Sequence, residues 1–143
     1  MKNPLVIALL GSPGSGKGTQ GILLAEKLEY YYFETSKLIE RKVMEAGDDE
    51  FVEVEGEKYF FKDERDLWKK GILCSPPFVS WLVKDKIKVL AKENKGIVLS
   101  GSPRTLYEAE NIMPLIEESY GRENVRIIEI FISAEASSFR NSH

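Results

Sequence analysis

The chain has 143 residues, enough for one domain with a modest core, and its 43% apolar and 30% charged residues are ordinary for a soluble globular protein. A formal charge of −3 argues against a nucleic-acid-binding surface, which is normally strongly basic. The single Cys74 excludes an internal disulfide and suits a reducing compartment; with no apolar run near the roughly 18 residues of a membrane span and no signal-peptide opening, a cytoplasmic location is expected.

In chain order, residues 5–10 (LVIALL) form a continuous apolar run ended by Gly11, which predicts a strand buried on both faces. A helix is predicted over Lys17–Leu28, with Ile22, Leu23, Ala25 and Leu28 as its apolar side. Residues 30–34 read as a second strand, and Thr35 or Ser36 is expected to cap a helix that runs to about Ala46 and ends at Gly47. The stretch EFVEVEGEKYFFKDE then predicts two short strands about Glu55-Gly56. Its aromatic residues Tyr59, Phe60 and Phe61, with Trp68, are expected to form a small apolar core under that hairpin. A short helix over 67–70 precedes Gly71, and Pro76 and Pro77 open a long helix to about Asn94, with Phe78, Val79, Leu82, Val83, Ile87 and Leu90 at helical spacing. Residues 97–100 are a third buried strand, 105–120 a helix carrying Met113-Pro114 as a candidate bend, 125–132 a fourth strand, and a last helix begins near Ala134. Strands alternating with helices predict an α/β fold, a parallel sheet flanked by helices in three layers.

Between the first strand and the first helix lies GSPGSGKGTQ, where Gly11 and Gly16-Lys17 satisfy G-x-x-x-x-G-K in the strand-to-helix context that the motif needs. Glycines let backbone N–H groups turn inward around phosphate oxygens, and the following helix aims its positive end at the same point. Lys17 supplies a mobile charge for the β and γ phosphates. A hydroxyl for Mg²⁺ is expected next, yet Gly18 stands there and the hydroxyl comes at Thr19.

Gly11-Ser12-Pro13-Gly14-Ser15-Gly16-Lys17-Gly18-Thr19 resembles the phosphate loop of adenylate kinases and related nucleoside monophosphate kinases, in which a glycine after the lysine is normal. Gly101-Ser102-Pro103-Arg104-Thr105 is similar to the family's D-G-F-P-R-T, Leu73-Cys74 with Val79 to the wall of its monophosphate pocket, and Glu135 to Arg140 to the spacing that places an arginine on the donor adenine. The resemblance implies a P-loop NTPase-like fold in one domain over 1–143, with 35–80 as a monophosphate-binding subregion containing a hairpin insertion. It implies transfer of the γ-phosphoryl group of ATP to AMP, with Mg²⁺. By the same resemblance Gly14, Ser15, Gly16, Lys17, Gly18 and Thr19 hold the ATP phosphates, Thr19 also serving as candidate metal ligand, and Arg140 meets the ATP adenine. Thr35, Leu73, Cys74, Val79, Gly101, Arg104 and Glu108 bind the monophosphate, and Lys17 and Arg104 are the catalytic pair. Partners are small-molecule nucleotides, with no nucleic acid and no membrane, and a monomer is expected.

Several positions depart from the family's pattern. Ser100 replaces the aspartate that helps to hold hydrated Mg²⁺, and Glu40 replaces a phosphate-clamping arginine, with Arg41 turned about 100° around the helix and Lys37 as a partial substitute. Glu108 replaces a glutamine that reads the adenine edge; a carboxylate only accepts, which fits the two adjacent donors of guanine. Thr35 favours AMP, which stays the first reading, with GMP as an alternative acceptor. The family continues past the position of His143 with a mobile lid and a fifth strand, so a truncated form of a longer enzyme is expected, one that binds phosphates and turns over poorly. The competing class is a diverged P-loop protein that holds nucleotide without transferring phosphate.

Overall fold

The computed structural model describes residues 4–11, 16–100 and 106–130. In order they form β1 (Val6–Leu10), α1 (Lys17–Leu28), β2 (Tyr31–Glu34), α2 (Thr35–Glu45), β3 (Phe51–Val54), β4 (Glu57–Phe60), α3 (Phe61–Lys69), α4 (Pro76–Lys92), β5 (Ile97–Ser100), α5 (Leu106–Tyr120) and β6 (Val125–Glu129). Four strands make one parallel sheet in the order β2-β5-β1-β6, and β3 and β4 form a separate antiparallel hairpin.

Pleating sends alternate side chains of each strand to opposite faces, and two cores result. Val6 and Ala8 of β1, Phe33 of β2, and Ile97 and Leu99 of β5 pack against α2, α4 and α5 through Leu38, Val43, Phe78, Leu82, Ile87, Ile112 and Ile116. Ile7, Leu9 and Val98 point the other way, onto Ala25 of α1. The helix–sheet–helix layering predicted from the sequence is the architecture found, a P-loop NTPase-like α/β fold.

Several local expectations change. Of the apolar side assigned to α1 only Ala25 is buried, together with Gly21, while Ile22, Leu23 and Leu28 are exposed. A Cβ added at Gly21 would lie 2.8 Å from Tyr32 Cε1 and 3.1 Å from Leu9 Cδ1, so α1 docks through its smallest residues by close approach. Neither Thr35 nor Ser36 caps α2, because the helix begins at Thr35 with Glu34 as its N-cap and no side-chain cap bond. The α2 chain leaves through an extended Ala46 rather than through Gly47. The short helix expected over 67–70 is longer, starting at Phe61 directly from the hairpin.

The hairpin does turn about Glu55 and Gly56, both at positive φ (51° and 85°), as a two-residue turn of the right twist requires. It has no separate aromatic core. Phe61 enters the main core edge-on to Phe78, with ring centroids 5.2 Å apart, while Phe60 stacks with Phe51 near the surface. Strand β6 ends at Glu129, and the expected helix near Ala134 falls outside the described residues.

Candidate functional site

Because β1, β2 and β5 are parallel, the segments that follow them leave from one edge of the sheet. Open α/β sheets bind ligands outside this carboxyl edge. After β1 the chain reaches Gly16, whose φ of 88° is left-handed and favours glycine, and α1 starts at Lys17. The first turn of α1 holds no acidic residue and receives no side-chain cap at Gly16, so its N–H groups suit an incoming anion. A Cβ at Gly18 would make only an ordinary contact, 3.9 Å from the Tyr32 hydroxyl among the described residues, so packing does not require that glycine. Thr19 is exposed on the same turn. Gly14 and Ser15 lie outside the described residues, as do Gly101, Arg104 and Arg140.

Beside the ends of β2 and β5 is a cavity of about 580 Å³, a size suited to a small-molecule ligand. The first turn of α2 supplies Thr35, Ser36 and Ile39; α3 supplies Trp68; residues 71–75 form one wall; α4 adds Pro76 and Val79; and α5 contributes Glu108. Thr35, Leu73, Cys74, Val79 and Glu108, all predicted for the acceptor side, therefore share one cavity, although they come from well-separated parts of the sequence. Most of the lining is apolar. Glu108 is 5% exposed on the first turn of α5, where helix polarity favours a carboxylate. Thr35 is 2% exposed, and its Oγ1 has no hydrogen-bond partner among the described residues.

The wall over residues 71–75 is held by a residue that the sequence reading missed. Glu64 of α3 is buried, and its carboxylate accepts from the Ser75 N–H (2.6 Å) and the Ser75 hydroxyl (2.8 Å). Ser75 is the N-cap of α4, so a carboxylate from another helix satisfies this helix start. The Cys74 thiol donates to the Glu64 carbonyl at 3.5 Å, and burial, then the Glu64 charge, push its pKa up to about 11. Arg65 continues the latch: its guanidinium donates to the Val43 carbonyl (2.7 Å), the Ala46 carbonyl and Asp48 (3.0 Å), tying α3 to the end of α2. No spacing rule connects Glu64 with Ser75, which is why only the fold discloses the pair.

Lys37, considered as a substitute for the missing arginine, pairs with Glu34 at 3.4 Å on the surface. Neither it nor Glu40 nor Arg41 lines the cavity. Trp68 does line it, in place of the purely supporting role expected under the hairpin. Burial, then the Glu55 charge, raise the Tyr107 pKa above the ordinary phenol value.

Comparison with known proteins bears on the same residues. The shikimate kinase family model, also of the P-loop type, matches residues 13–74. An adenylate kinase of Prochlorococcus marinus (strain MIT 9515) is 33% identical over 106 residues, 74% of this chain and 50% of that protein. An adenylate kinase of Elusimicrobium minutum is 33% identical over 79% of the chain and 46% of its own length, and one from Borrelia garinii subsp. bavariensis is 28% identical over 90% and 53%. Over most of its length the chain resembles adenylate kinases. It spans about half the length of these curated relatives. The Gly16-Lys17 turn and the cavity both lie at the edge from which the segments after the parallel strands leave.

Proposed function

We propose that this chain forms the nucleotide-handling core of an ATP-dependent nucleoside monophosphate kinase, with AMP the acceptor that the relatives' name suggests. The observation that carries the reading is the cavity of Thr35, Leu73, Cys74, Val79 and Glu108, on the sheet edge from which the Gly16-Lys17 turn also leaves. In this reading the γ-phosphorus is displaced from its bridging oxygen and bonded to an α-phosphate oxygen of the monophosphate, giving two diphosphates.

Such transfer needs alignment and charge neutralisation more than a reactive side chain. Gly16, Gly18 and the uncapped first turn of α1, with Gly14 and Ser15 before them, are assigned the ATP phosphates, and Lys17 the charge on the phosphoryl group. Arg104 is assigned the acceptor phosphate, for which its planar fork is suited, and Arg140 the ATP adenine. Mg²⁺ neutralises phosphate charge when bound; the Thr19 hydroxyl is the protein group offered to it, and phosphate oxygens suit the same hard cation. Residues 35–80 would form the acceptor-binding subregion, with the hairpin facing its entrance. The chain is proposed to act as a cytoplasmic monomer in nucleotide biosynthesis; no helix among the described residues is long and apolar enough to cross a membrane.

A coupled assay on the full gene product, with ATP, Mg²⁺ and a panel of nucleoside monophosphates, tests the proposal. Diphosphate formation with at least one monophosphate is expected. ATP binding without any diphosphate would favour a nucleotide-binding protein that transfers nothing.

A further inference from the structure

Residues 71–75, which form one wall of the cavity, contain no helix or strand. Packing holds their rim weakly, since Leu73 is 78% exposed and Ile72 53%. Backbone anchors place the segment instead, and both ends are fastened to α3. The Ile72 N–H donates to the Leu67 carbonyl at 2.9 Å, and the Ser75 N–H and hydroxyl donate to the Glu64 carboxylate at 2.6 and 2.8 Å. Arg65 ties α3 in turn to the end of α2. Successive helical residues project about 100° apart, so Glu64 and Arg65 hold different neighbours from one short helix.

Helix α4 alone does not explain the buried Glu64. Pro76 and Pro77 bring no N–H to its first turn, so this helix start has fewer donors to satisfy than usual. Ser75 is a preferred capping residue, yet it makes no side-chain cap bond and gives its hydroxyl to Glu64. Glu64 itself is not among the cavity-lining residues. Resting on the proposed acceptor role of the cavity, we propose that Glu64 is a positioning residue for the monophosphate: it fixes the 71–75 wall in its binding conformation before the ligand arrives. Freed at Ser75, the wall samples other conformations, and acceptor affinity falls with the fraction that remains competent. None of these bonds involves the Gly16-Lys17 turn, so ATP is not affected in the same way.

The test is steady-state kinetics of the full gene product with AMP and ATP varied in turn, and circular dichroism to verify the fold of each variant. Glu64→Ala is expected to raise KM for AMP about fivefold or more, with KM for ATP within about twofold and kcat within about threefold, the pattern of lost ground-state binding. Glu64→Gln keeps an acceptor for the Ser75 N–H and should bring KM for AMP back to within about twofold of the unaltered protein. Gly96→Ala, before β5 at the opposite edge of the sheet, is the destabilised control and should leave both KM values unchanged. An unchanged KM for AMP in a folded Glu64→Ala, or an equal rise in Gly96→Ala, overturns the positioning role while leaving the kinase reading intact. If Glu64→Ala does not fold, Glu64→Asp replaces it, because its carboxylate falls one methylene short of Ser75; an unchanged KM for AMP there overturns the role equally. Binding of ATP without turnover of AMP by the unaltered protein overturns the AMP-acceptor reading, and this inference with it.

Discussion

Lys17 occupies the first position of α1, directly after a left-handed Gly16 and in a turn without an acidic residue, where a helix N-terminus favours an anion. Lys17→Ala is expected to lower kcat/KM for phosphoryl transfer by on the order of 10²-fold or more, with an unchanged thermal melt because the side chain is only half-buried. Unaltered transfer would remove Lys17 from the mechanism. Glu64 is a different kind of residue: it holds the cavity wall through Ser75 and Cys74. Glu64→Ala strands the Ser75 N–H at the start of α4, and chemical denaturation should show a loss of about 2 kcal/mol. Glu64→Gln keeps an acceptor for one of the two bonds and should lose less.

At the scale of elements, the boundaries come from local chemistry and the contacts from close approach. Helix α1 closes at Glu29 in a left-handed conformation, φ 59° and ψ 39°, which suits glycine better than glutamate. Glu29→Gly is therefore expected to stabilise the protein by about 1 kcal/mol, read from the denaturation midpoint. The opposite exchange is costly before β5, where a Cβ at Gly96 would overlap the Tyr30 ring. The Tyr30 hydroxyl accepts from the Leu5 N–H at 3.0 Å, so displacing that ring also unpins the approach to β1. Gly96→Ala should cost about 1–3 kcal/mol in the same measurement.

For the whole molecule, two buried groups set the alkaline limit of stability. Burial, then a nearby carboxylate, raise the pKa of Cys74 from 9.0 to about 11 and that of Tyr120 from 10.0 to about 12, Glu64 and Glu93 being the respective carboxylates. The folded state keeps these protons after the unfolded chain has released them, so stability is full below pH 9 and falls as pH rises towards 11 and 12. Denaturation midpoints across that range should decline, and a Cys74→Ala variant should decline less between pH 9 and 11. A second whole-molecule property is the sheet edge: β6 pairs with β1, and its Ile127 and Ile128 are exposed.

The layered α/β fold was legible in the chain because LVIALL and IVLS are continuous apolar runs, which only strands covered on both faces tolerate, and because helices alternate with them. The phosphate loop was legible because its glycines, lysine and flanking elements are adjacent in sequence, where steric rules act locally. The face of α1 was read only in part: hydrophobicity marked Ile22, Leu23 and Leu28 beside Ala25, whereas docking used Ala25 and Gly21, and backbone approach leaves no trace in an apolar pattern. The Glu64 latch on Ser75 and the place of Trp68 were likewise invisible, since each joins residues from separate elements. By itself the sequence determined the elements, the parallel layering and a loop suited to phosphate, because propensity and periodicity are local. Only the tertiary structure decided that Thr35 and Glu108 would be buried at one largely apolar cavity, because burial and the polar demands it creates exist only once the helices have packed.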